Sequence, residues 1–156
     1  MTIHIRKATP NDIPVLVKFN QLMALETEGK ELDGDTLTAG VSALFTDPAK
    51  GFYIVAESDG VVRGQLMITF ECSDWRNGNF WWIQSVYVDA NFRQQHIFTT
   101  MYNYIEQIAQ TNGQCCGIRL YVESNNDVAQ LVYYKLGLIK THYYLLEKDF
   151  RQSGQS

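Results

Sequence analysis

The chain has 156 residues and a formal net charge of −4. A length of this order fits one domain that buries roughly two-thirds of its unfolded surface, and an acidic balance without clustered Lys and Arg argues against a nucleic-acid backbone as partner. No stretch supplies about 18 uninterrupted apolar residues, and the opening MTIHIRKATPND lacks the apolar core of a signal peptide, so the reading is a cytoplasmic chain with no membrane partner.

Residues 2–8 alternate well enough for a first strand, and Thr9-Pro10-Asn11-Asp12 supplies a capping residue, a proline for a first helical turn and a carboxylate beside the N-terminus. A helix follows, with Ile13, Leu16, Val17, Asn20 and Met23 on one face. The segment ETEGKELDGD (26–35) reads as an exposed connection to a second helix over 35–45. Its acids, Glu26, Glu28, Glu31, Asp33 and Asp35, are either a solvated face or a field that gathers a cationic substrate.

Residues 52–56 and 61–70 read as strands joined at Ser58-Asp59-Gly60, and Asn77-Gly78 marks a second hairpin leading into a strand over 80–88. The connector between them holds Glu71, Asp74, Trp75 and Arg76, which suits a binding loop as well as a merely charged hairpin tip. The stretch WWIQSVYVDANFRQQHIFTTM (81–101) passes from strand through a polar loop into a helix with Ile97, Met101 and Ile105 on its stripe. Free N–H groups and the positive end of the macrodipole make such a helix start an anion site. Asn112-Gly113 stops that helix, and Cys116 to Val122 is a buried strand parallel to its predecessor. A last helix runs from Asn125/Asn126 to about Leu136, with one or two strands over 138–146 and a flexible tail at 151–156. Cys72, Cys115 and Cys116 read as small apolar fillers. With His4, His96 and His142 scattered, no grouping has zinc-ligand spacing, so no metal is expected.

Two motifs and this element order give the chain a resemblance to the GNAT superfamily of acyl-CoA-dependent N-acetyltransferases over nearly its whole length. VYVDANFRQQHIF is similar to the family's strand-loop-helix pattern. NNDVAQLVYYKLGL is similar to its Asn-x-x-Ala-x-x-x-Tyr-x-Lys-x-Gly-Phe element, matched by Asn126, Ala129, Tyr133, Lys135, Gly137 and Leu138. The resemblance implies an α+β, three-layer fold over residues 1–150: a mixed sheet of six to seven strands, antiparallel and then parallel at a splayed fourth and fifth strand, flanked by about four helices.

It further implies acetyl-CoA as co-substrate, with pantetheine along Val86, Tyr87 and Val88 and the pyrophosphate over Arg93, Gln94, Gln95, His96, Ile97, Phe98 and Thr99, Asn126 also contributing. An extended amide arm can add to an opened sheet edge, and a diphosphate suits a helix N-terminus. Tyr133 matches the family's acid for the departing thiolate. Three departures stand out: His96 occupies a glycine position, Phe98 a small-residue position, and Gln84 a position where many relatives carry Glu. Glutamine cannot take up a proton to become a neutral acid, so base duty passes to a water held by Gln84 together with Glu71, Asp74 or Glu28. Glu28, Asp74, Trp75 and Trp82 are the candidate acceptor contacts. The expectation is N-acetylation of a small cationic amine, in a homodimer by resemblance; the alternative is a non-catalytic acyl-CoA or ligand sensor.

Overall fold

The computed structural model describes residues 2–151, which divide into two compact units, one ending at Tyr121 and one beginning at Val122. In the first unit, β1 (His4–Lys7) leads through a 3-10 turn (Pro10–Asp12) into α1 (Ile13–Glu28) and α2 (Gly34–Thr46). Then come β2 (Gly51–Ser58), β3 (Val61–Ser73), β4 (Gly78–Val88), α3 (Ile97–Thr111) and β5 (Cys115–Leu120). The sheet order is β1-β2-β3-β4-β5, antiparallel up to β4 and parallel between β4 and β5.

Local chemistry accounts for the turns. Asp59 (φ 53°) and Gly60 (φ 75°) are both left-handed, the combination a two-residue hairpin needs to match strand twist. The acidic connection is shorter than the composition suggests, because α1 keeps Glu26 and Glu28 helical and Asp33 starts α2 by accepting the Thr36 amide. Among the described residues no helix is long and apolar enough to cross a membrane.

Strand alternation sorts the core onto two faces. On one, Ile54, Leu66 and Ile68 are fully buried along with Ile97 and Met101 of α3, and Gly64 lets that helix approach: a Cβ there would lie 3.1 Å from Ile97 Cγ2 and 3.3 Å from Met101 Cε. On the other, Leu16 of α1 and Val41 of α2 cluster with Tyr53 and Val55. Helices, sheet and helix form the expected three layers.

The second unit holds α4 (Asp127–Lys135), capped by the Asn126 side chain on the Ala129 amide and closed at Gly137, whose φ is +97°. Here the sequence expectation fails. Residues 138–150 form no strand, so the sheet has five strands rather than six to seven. Their β-favouring side chains are real, but a strand exists only where a neighbouring backbone completes its hydrogen bonds, and Tyr144 and Leu146 stand 93% and 89% exposed. Of the expected tail, only Arg151 lies within the described residues.

One polar knot ties β1 to the rest of its layer. Arg6 donates to both Asp12 carboxylate oxygens (2.7 and 2.9 Å) and to Glu57 of β2 (3.1 Å), while Asp12 also accepts the Thr9 amide (2.7 Å). The Arg6 hydrogen bonds hold the nearly buried Asp12 carboxyl below its ordinary value of 3.8. A group with a depressed folded pKa stabilises above its unfolded value and loses that contribution as pH falls through the folded one. Asp12→Asn should therefore cost about 2 kcal/mol at pH 7. In urea titrations followed by circular dichroism, its deficit against wild type should shrink below about pH 4; a deficit constant down to pH 2 would show that the charge is not what stabilises.

Candidate active site

The loop between β4 and α3 is built around two left-handed residues. Gln94 (φ 63°) and His96 (φ 62°) bracket Gln95, and His96 is the N-cap of α3 with no side-chain capping bond. The first amides of a helix have no intrahelical acceptor, so the main chain at Ile97, Phe98 and Thr99 faces an uncapped start with partial positive charge. Successive left-handed turns add the kind of concavity that receives anions. Gln94, Gln95 and His96 are exposed, Ile97 is buried against the sheet, and Phe98 and Thr99 are half-buried.

At His96 the conformation itself asks for glycine. A left-handed non-glycine residue costs roughly 1–2 kcal/mol, and His96 adopts it to launch the helix, its carbonyl accepting the Thr100 amide and hydroxyl.

The edge of β4 opens next to this loop. β4 and β5 pair from Asn79↔Cys115 to Ile83↔Leu120 and no further, although β4 continues to Val88. Between Gln84 and Tyr87 the pairing with β3 shifts by a residue, and Ser85 takes φ 52° in the resulting bulge. The fully buried Gln65 secures the bulge by donating from Nε2 to the Ser85 carbonyl (2.9 Å). The Asn20 amide donates to Tyr53 Oη (3.3 Å) behind it. Val86 and Val88 are half-buried on the opened segment, while Tyr87 turns its buried ring onto Phe19 of α1.

Charged groups frame both ends of the opened edge. At the loop end, Glu26 accepts from the Tyr87 hydroxyl and from Arg93 Nη2, each at 2.7 Å, and Arg93 Nε donates to the Val88 carbonyl (3.0 Å). The Tyr87 hydrogen bond, then Arg93, hold the Glu26 carboxyl below its usual range, whereas burial and the Glu26 carboxylate push the Tyr87 phenol up to about 12. Glu26 thus orders the cation of this loop rather than a distant substrate.

At the other end, Gln84 Nε2 donates to Thr69 Oγ1 (2.6 Å), keeping its amide oxygen as the acceptor on that face. Glu71 Oε1 accepts from both Trp82 Nε1 (3.0 Å) and Arg119 Nη1 (2.8 Å). Arg119 and Tyr121, whose ring lies 4.5 Å from that of Trp82, were absent from the sequence reading. The Asn77-Gly78 hairpin places Glu71 beside Phe80 and near Trp82 once residues are counted back from the turn, but no local pattern brings in Arg119.

Glu28 ends α1 in a 3.7 Å pair with Lys30; Asp74 and Trp75 sit on the β3–β4 turn, with Trp75 90% exposed. Asn126 spends its side chain capping α4. Tyr133, in the same helix, is half-buried, and burial pushes its phenol up, so it keeps its proton at neutral pH. Cys115 and Cys116 are half-buried as fillers should be, but Cys72 is exposed.

The profile of the Acetyltransferase (GNAT) family matches residues 18–138. The chain belongs to this family. A possible acetyltransferase from Clostridium difficile 630 has a solved structure 46% identical in sequence, with a TM-score of 0.88 over 96% of this chain and 98% of that one. A predicted acetyltransferase from Clostridium acetobutylicum, solved with acetyl-CoA, is 21% identical with a TM-score of 0.77, covering 94% and 96% of the two chains. Glucosamine-6-phosphate N-acetyltransferase from Arabidopsis thaliana, 20% identical over 96% and 99%, has a TM-score of 0.71. No match was found among curated proteins. This GNAT chain has a β4 edge that runs unpaired past Ile83 and an α3 start without a cap from the His96 side chain.

His96→Gly should relieve the left-handed strain and raise stability by about 1 kcal/mol in thermal or urea unfolding, while His96→Ala should not. Equal effects of the two substitutions would place the cost in the imidazole rather than in the backbone.

Proposed function

We propose that the protein is an acetyl-CoA-dependent N-acetyltransferase acting on the primary amine of a small acceptor, with residues 1–150 working as one catalytic domain. The observation that carries this reading is the pairing of an opened β4 edge with the uncapped N-terminus of α3, in a chain of the GNAT family. Main-chain groups of Val86, Tyr87 and Val88 would meet the amides of pantetheine. The amides of Ile97 to Thr99 would meet the pyrophosphate, with Arg93 exchanging Glu26 for it.

In the proposed reaction the neutral amine attacks the thioester carbonyl, the new C–N bond forms as the C–S bond breaks, and the thiolate takes the phenolic proton of Tyr133, which is restored from solvent. The amine proton leaves through a water held by the Gln84 amide oxygen. Burial pushes the phenol up, so Tyr133 enters each turnover protonated, as a weaker donor than an exposed tyrosine. A sensor that binds acyl-CoA without turnover is the second reading, favoured by Gln84 in place of a carboxylate and by the engagement of Glu71 with Trp82 and Arg119.

Calorimetric titration with acetyl-CoA, followed by a free-thiol assay over a panel of amines, separates the readings. The first expects heat of binding and thiol release that depends on the amine; binding without release with every amine would favour the sensor, and no heat at millimolar cofactor would remove both. Tyr133→Phe should lower kcat at least tenfold with little change in acetyl-CoA affinity. Unchanged turnover would remove Tyr133 as the acid.

A homodimer is part of the proposal, supported by the exposed apolar residues Ile139, Tyr143, Tyr144, Leu145, Leu146 and Phe150, a larger unpartnered surface than a monomer usually keeps in water. Light scattering should give about twice the chain mass of 17.9 kDa; a monomer at micromolar concentration would overturn it.

A further inference from the structure

The cluster on β3, β4 and β5 just before the opened edge has a composition that the proposed reaction does not yet use. Thr69 and Glu71 of β3, Trp82 and Gln84 of β4, and Arg119 of β5 share one face of the sheet, by alternation along each strand and by the registers Thr69↔Trp82 and Trp82↔Arg119, and Tyr121, just past the end of β5, packs its ring on Trp82. The Arg119 guanidinium lies 3.6 Å from the centroid of the Phe80 ring. That ring packs on Gly117, where a Cβ would come within 2.8 Å of it, so glycine is what lets the phenyl lie flat beneath the arginine. Stacking leaves the planar fork little freedom.

Arg119 has five N–H donors and the structure shows one of them on Glu71 Oε1. Glu71 in turn takes two donors on the same oxygen. The pair is partly solvated, its side chains 31% and 46% exposed, so it contributes little to stability and can be exchanged at low cost. Beside it, Trp82 and Tyr121 form an aromatic wall. Gln84 lies two residues further along β4, about 7 Å away at the strand rise.

A purely cationic acceptor would meet a carboxylate already neutralised by Arg119. A ligand carboxylate, in contrast, can take both prongs of the guanidinium, a geometry that a single bond to Glu71 does not fill. We propose that Arg119, Trp82 and Tyr121 form a carboxylate-binding subsite, and that the acceptor is a zwitterionic amine of amino-acid to dipeptide size. Its carboxylate displaces Glu71 from Arg119, its carbon chain lies on the Trp82–Tyr121 wall, and its amine reaches Gln84 at the opened edge. This rests on the acetyltransferase reading for the fate of the amine, but the carboxylate subsite can be tested without turnover.

The test compares amino acids and dipeptides with their C-terminal amides, first by calorimetry on the full chain without cofactor, then in the thiol-release assay. The free acids should bind at least tenfold more tightly than the amides. Arg119→Gln should abolish that preference by weakening the acids, and Arg119→Lys should restore it only in part, since the charge returns without the fork. Matching melting temperatures for the two variants exclude misfolding as the cause. In turnover the preference should appear in KM for the acceptor. Equal binding of acids and amides, absence of binding by both, or a preference that survives Arg119→Gln would each overturn the subsite. Failure of acetyl-CoA to bind while the acids still discriminate would overturn the acetyltransferase reading alone.

Discussion

The parallel pairing of β4 with β5 stops at Ile83↔Leu120 while β4 runs on to Val88, and the rest of the site takes its position from that divergence. Among the described residues the main chain of β4 beyond Ile83 has no strand neighbour on that side, and the Val88 carbonyl is taken by Arg93 Nε. The bulge at Ser85 lies at the same point. Its left-handed residue alters the course of β4, and the buried Gln65 amide secures the carbonyl that the bulge displaces. A fully buried glutamine is costly unless it does such work.

At this opening Arg93 rests on Glu26 and Arg119 on Glu71, while at the far edge of the sheet Arg6 rests on Asp12 and Glu57. These pairs differ in what they can do. Asp12 is nearly buried, and its loss leaves a guanidinium without its main partner, so that pair belongs to the fold. The other two are partly solvated and flank the opened edge, so they add little to stability.

His96 brings local strain to the same region. Its left-handed backbone opens α3, and its own side chain makes no capping bond. Strain of this kind persists where the surroundings over-determine the conformation. The buried Ile97, immediately after it, anchors the helix to the sheet.

Much of this was legible from residue order because its causes are local. Asp59-Gly60 supply the left-handed φ values of one turn and Asn77 that of the next, Asn126 and Gly137 bound their helix, and helical periodicity locates Ile97, Met101 and Ile105. What stayed hidden depends on partners distant in sequence: Arg119 meets Glu71 only because β5 crosses over to lie beside β4, and the Ser85 bulge exists only relative to β3. Residues 138–146 make the same point in reverse, since their composition favours a strand and among the described residues no strand pairs with them. Sequence determined which segments favour strand, turn or helix, because propensity and capping act within a few residues. Tertiary structure alone decided which side chains share a face and where the sheet ends, because hydrogen-bond register is a property of two strands and not of one.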